Sequence, residues 1–180
     1  MTQAAKSDRP CEPPEPLQAS RILAYRWLLL VAFVVLAADR LTKAWIATRL
    51  PFDAYLERDG AIPVIRGFFY LVHVGNTGAA WSLFSGRSPV LAGFALATLA
   101  AIFLWRRALG LRATGTQVCF GLICGGILGN LIDRLVHHHV IDFIDLHFGS
   151  YAYPTFNIAD SGICVGVALY AILSLRSPGR

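Results

Sequence analysis

The sequence predicts an all-α membrane protein: four transmembrane helices, with a small extracytoplasmic β-sheet, a cradle, between the first and second. Apolar residues make up 56% of the 180 and charged residues only 15%, too greasy a balance for an ordinary soluble protein of this length. The uncharged runs come close to the roughly 20 residues that about 30 Å of hydrocarbon requires. Cations supply a net charge of +5, but they sit at the ends of apolar segments. They form no basic stripe with interleaved aromatics, so no nucleic-acid partner is expected.

Taken in order, the first twenty residues are hydrophilic and Pro-rich (Arg9-Pro10-Cys11-Glu12-Pro13-Pro14-Glu15-Pro16). They predict a disordered cytoplasmic tail, neither a cleavable signal nor a packed element. Residues 21–176 then form a single domain, with spans at about 25–46, 88–105, 113–133 and 158–175, and 177–180 a short cytoplasmic end. Arg21 and Arg26 precede the first span, Arg106, Arg107 and Arg112 fill the second connection, and Arg176 and Arg180 follow the fourth span. The excess of basic residues places both termini on the cytoplasmic side. The connections 47–87 and 134–157 then face outward.

The first outer connection contains a run from Ala61 to Val74, rich in β-branched and aromatic residues and broken by Pro63 and Gly67. That composition favours short strands. Asn76-Thr77-Gly78-Ala79-Ala80 reads as a turn, and Trp81, Leu83 and Phe84 suit a membrane surface. In the third span Gly121, Gly125 and Gly129 are four apart, and the fourth has Gly162 and Gly166, a pattern that lets helix backbones approach closely. Cys119, Cys124 and Cys164 lie inside apolar runs and Cys11 alone in the tail, so neither a disulfide framework nor a zinc site follows.

Polar residues stand out against this background. Asp39 and Lys43 are four apart on the first span, a local ion pair with Lys43 snorkelling to headgroups. The sharper alternative has Asp39 ordering the outer sheet and Lys43 meeting lipid phosphate or substrate carbonyls. Asn130, Asp133 and Arg134 share one face at the end of the third span. Either Arg134 pairs with Asp133 while Asn130 caps the helix, or Asn130 and Arg134 hold the substrate backbone and orient nearby acids.

Asn157-Ile158-Ala159-Asp160 reads as an N-cap with an acid at N3. Asp142, however, lies in the apolar run Val140-Ile141-Asp142-Phe143-Ile144, close enough in sequence for a loop to fold back. Two carboxylates facing each other in such a place cannot both stay ionised, so the pair shares a proton. The ionised partner then takes a proton from attacking water while the other hydrogen-bonds the oxyanion, with no metal or cofactor required. Asp145, nearer the polar loop of His147, Gly149 and Ser150, is expected to be a solvated structural acid. His137, His138 and His139 form an interfacial basic cluster, since three successive residues cannot all face one ion.

Together, Asp39-Arg40-Leu41-Thr42-Lys43, Asn76-Thr77-Gly78-Ala79-Ala80-Trp81-Ser82, Gly125-Gly126-Ile127-Leu128-Gly129-Asn130-Leu131-Ile132-Asp133-Arg134, Val140-Ile141-Asp142-Phe143 and Phe156-Asn157-Ile158-Ala159-Asp160-Ser161 resemble the bacterial lipoprotein signal peptidases, the signal peptidase II family. The resemblance covers about Asp39 to Gly166 in the family's order. It implies an aspartic endopeptidase that cuts diacylglyceryl-modified prolipoproteins just before the lipidated lipobox cysteine and is inhibited by globomycin. By motif position, Asp142 and Asp160 are the catalytic pair. Asn130, Arg134 and Asn157 support the site, and Asp39, Lys43, Asn76 and Gly126 are structural or substrate-contacting.

The implied setting is the bacterial cytoplasmic (inner) membrane, with the active site near the outer leaflet and membrane lipids and prolipoproteins as partners; a monomer is the expected state, although the glycine faces could serve packing within one chain as easily as between chains. One departure concerns His138, which stands where the family usually has glycine, four residues before the first catalytic acid. From the residues alone, a small proton-coupled transporter and a haem- or metal-binding membrane subunit are the competing readings.

Overall fold

A computed structural model describes residues 23–79 and 83–176. The Pro-rich tail, the ring of Trp81 and the last four residues lie outside the described residues. Four long helices are present among the described residues: α1 (Arg26–Arg49), α2 (Ser88–Leu104), α3 (Thr114–Val136) and α4 (Ile158–Arg176). Pro89 sits in the first turn of α2, where its missing N–H costs nothing. By length and composition α3 and α4 can cross a membrane, while α2 is apolar but shorter, at 17 residues. Exposed Phe33, Leu41, Phe94, Phe103, Val167 and Leu175 leave the outward faces apolar, which a watery surround would penalise.

α3 is the central helix, flanked by α1 and α4. A Cβ at Gly125 would lie 2.6 Å from the Ala32 carbonyl oxygen of α1, and one at Gly126 would collide with the Ala159 carbonyl oxygen of α4. The glycines thus pack helices within one chain, backbone against backbone.

The helices are joined by an antiparallel sheet of β1 (Ile62–Ile65), β2 (Phe69–Asn76), β3 (Val140–Phe148) and β4 (Tyr151–Ala152), in that order. This corrects the all-α expectation and the placing of the sheet in the first connection alone: half its strands come from the second. The physical reason lies in β3, whose residues Val140 to Phe143 are buried. A strand covered on both faces shows no alternation and reads as a plain apolar run. It packs through Ile141 and Phe143 against Ile46, Leu50 and Ala54 at the end of α1.

Two irregularities aim the strands. The β2–β3 register shifts between Leu71 and Val74, leaving Val74 opposite Asp142, a bulge of the kind found beside active sites. Further along, the chain returns from β4 so that the Phe156 N–H donates to the Ile144 carbonyl at 3.1 Å and the Ile144 N–H to the Phe156 carbonyl at 2.8 Å. That bridge puts the start of α4 beside Asp142.

Candidate active site

Asp142 is 1% exposed, and both its oxygens are held. Asn76 Nδ2, from the last residue of β2, donates to Oδ2 at 2.9 Å, and Asn157 Nδ2 donates to Oδ1 at 2.7 Å. The orientation of Asn76 is set locally, because its Oδ1 accepts the Gly78 N–H at 2.9 Å in an Asx turn. Its amide nitrogen is thereby turned toward Asp142.

Asp160 comes from the first turn of α4. Asn157 Oδ1 accepts the Asp160 N–H at 2.9 Å and Asp160 Oδ2 accepts the Asn157 N–H at 3.3 Å, a reciprocal capping box with aspartate at N3. The cap uses one carboxylate oxygen. The other, Oδ1, accepts from Asn130 Nδ2 at 2.7 Å, so capping and site support are two uses of one side chain.

Both acids open on one cavity of about 410 Å³, lined also by Asn76, Asn130, Arg134 and the segment Tyr153–Phe156. Burial first, and then the charge of Asp160, push the Asp142 carboxyl up to about 7, against the opposing pull of Asn76, Asn157 and Lys43. Such a group holds a proton near neutral pH. Arg134 joins the end of α3 to the turn after β2, donating through Nη2 to the Gly78 carbonyl at 3.0 Å and through Nη1 to its own helix at Asn130.

Behind this layer lies an ionic cluster in which Asp39, Lys43 and Asp133 are buried and Arg40 is partly exposed. Lys43 Nζ is 2.9 Å from Asp39 Oδ1 and 2.7 Å from Asp133 Oδ2, while Arg40 Nη2 is 2.9 Å from Asp39 Oδ2 and 2.6 Å from Asp133 Oδ1. Two acids and two bases cancel, as burial demands. The cluster revises three expectations. Lys43, 1% exposed, reaches neither headgroups nor the cavity; Asp133 pairs with Arg40 and Lys43, not with Arg134; and Asp39 accepts the Ala159 N–H of α4. The contact with the sheet is made by Asp133, which accepts the Ile141 N–H at 3.3 Å.

Other sequence-predicted residues separate from the cavity. Gly126 lies at the α3–α4 contact. Asp145 is not solvated: it is 1% exposed, with His147 Nε2 2.6 Å from its Oδ2. The Tyr55 hydroxyl lies against it, and burial together with Asp145 raises the hydroxyl's pKa. Among the described residues no group of three or more His, Cys, Asp and Glu side chains is placed to hold a metal ion. His139 packs instead on the Phe52 ring, with centroids 5.4 Å apart. Sequence reasoning missed Arg40, adjacent to Asp39, and the cavity wall from Tyr153 to Thr155, for which it offered no signal.

Outward-facing apolar helices around two buried carboxylates that open on one cavity are the arrangement of a membrane protein with a polar site. Within that class, the family model described as Signal peptidase (SPase) II matches residues 31–176, and the chain belongs to this peptidase family. It is 40% identical over 156 residues to the lipoprotein signal peptidase of Bacillus subtilis (strain 168), covering 84% of this chain and 94% of that one. It is 39% identical over 151 residues to that of Desulforapulum autotrophicum, with 79% and 88% covered. A solved structure titled a bacterial membrane enzyme matches with a TM-score of 0.74 at 33% identity, covering 83% of this chain and 87% of that one. The transporter and haem-subunit alternatives give way to the family.

Proposed function

We propose that the protein removes signal peptides from diacylglyceryl-modified prolipoproteins, cutting before the lipidated cysteine, with Asp142 and Asp160 as the catalytic pair. The observation that supports this most directly is their opening on one cavity, each fixed by side-chain amides. In this reading Asp142, whose carboxyl burial pushes up, carries the shared proton, and Asp160 acts as its ionised partner. Asp160 takes a proton from water as it attacks the scissile carbonyl, and Asp142 donates a hydrogen bond to the developing oxyanion; a proton then passes to the leaving nitrogen. Asn76, Asn130 and Asn157 keep the carboxylates facing the cavity, and Arg134 holds the turn that forms its rim.

The topology that fits is four spans within 21–176, both termini cytoplasmic, in the bacterial inner membrane, with the sheet and cavity at the outer leaflet and the protein a monomer. A lipid-anchored substrate cannot leave the bilayer, so its scissile bond is presented at that depth, where a polar pair must meet it. The test is cleavage of a diacylglyceryl-modified prolipoprotein by purified protein. Asp142→Asn and Asp160→Asn are each expected to lose at least ~100-fold in rate; full activity in either removes the pair.

A further inference from the structure

Lys43 touches neither the cavity nor the paired acids, yet it stands one amide away from Asp160 and two from Asp142. Its Nζ donates to Asn130 Oδ1 at 2.9 Å, and Asn130 Nδ2 donates to Asp160 Oδ1 at 2.7 Å. The same Asn130 Oδ1 accepts from Asn157 Nδ2 at 3.2 Å, and that nitrogen reaches Asp142 Oδ1 at 2.7 Å. A side-chain amide can present either its oxygen or its nitrogen, but an ammonium has three donors and no acceptor. Lys43 therefore forces the oxygen of Asn130 inward and its nitrogen toward Asp160.

We propose that Lys43 is a positioning residue for the proton-sharing pair: through Asn130 and Asn157 it selects the amide atoms that face the two acids, and its buried charge favours the ionised member. This rests on the reading of Asp142 and Asp160 as the catalytic pair. The other charged groups nearby are Asp39 and Arg40 of α1 and Asp133 and Arg134 of α3. Asp39, Arg40 and Asp133 are engaged with Lys43 or each other, and Arg134 is tied to two backbone carbonyls. Lys43 alone is bonded to an amide that donates to one of the acids.

The experiment is a pH–rate profile of prolipoprotein cleavage by full-length protein in lipid, for the parent, Lys43→Met and the charge-balanced double variant Lys43→Met/Asp133→Asn. Loss of the cation and of the fixed amide is expected to move both limbs of the profile to higher pH by about one unit. At the parent's acid limb this is a roughly tenfold loss in kcat, with KM unchanged. Limbs that stay in place in a folded variant, whether or not the rate drops, overturn the proposal.

Should neither variant fold, the parent itself decides through ¹⁵N-lysine NMR. The Lys43 Nζ resonance must shift with the apparent pKa values of the rate profile, and a flat response overturns the proposal. Asp142→Asn and Asp160→Asn assayed in parallel separate the two ideas. If they retain activity the pair itself fails, whereas if they are inactive and the Lys43 variants keep the parent's limbs, only the role of Lys43 fails.

Discussion

At the scale of single residues, the acidity of Asp142 makes two measurable consequences. Its folded pKa of about 7 lies above the ordinary 3.8, so the folded state binds this proton more tightly than the unfolded chain does. The associated stabilisation is complete below about pH 4 and is lost as pH rises through 7; the thermal midpoint is expected to be lower at pH 8 than at pH 5. On the proposed mechanism, cleavage should also fall about tenfold per pH unit on the alkaline side of 7, as Asp142 loses the proton it would offer the oxyanion. His138 sits at φ +64° just past the C-terminus of α3, the left-handed position that glycine fills most easily. His138→Gly is therefore expected to raise stability by about 1 kcal/mol in denaturant titration. Asp142, Asp160 and their amides were legible as polar groups in apolar surroundings. The burial of Asp145 was not, because a nearby Gly149-Ser150 turn says nothing of what folds over it.

At the scale of elements, the tightest constraint is the α3–α4 contact. Gly126→Val would drive side-chain carbons into the Ala159 carbonyl and should cost roughly 1–3 kcal/mol or more, with activity lost as Asn157 and Asp160 move with the helix. Thermal melts and cleavage assays on the same preparation check both effects. Helices were read easily, since their uncharged runs and glycine spacing need no knowledge of partners. β3 was harder. A strand whose residues Val140 to Phe143 are all buried loses the period of two that betrays a half-exposed strand, and its pairing with β2 spans residues 69–146, beyond any local signal. The same holds for the register shift that leaves Asp142 opposite Val74.

For the molecule as a whole, the ionic cluster of Asp39, Arg40, Lys43 and Asp133 ties α1, α3, α4 and β3 at one point. Asp133→Ala removes one acid from a balanced set and is expected to cost about 3–5 kcal/mol, read as a lower thermal midpoint. From the sequence, Asp39 and Lys43 gave a local pair, but nothing in their spacing announced Asp133 as the third member, 93 residues from Arg40. The sheet's mixed origin has a temporal corollary. While the chain is being synthesised, β2 must wait with an unsatisfied edge until β3 emerges, and Asp142 waits in turn for α4 to bring Asn157 and Asp160. The two carboxylates thus meet only once the last helix has been made.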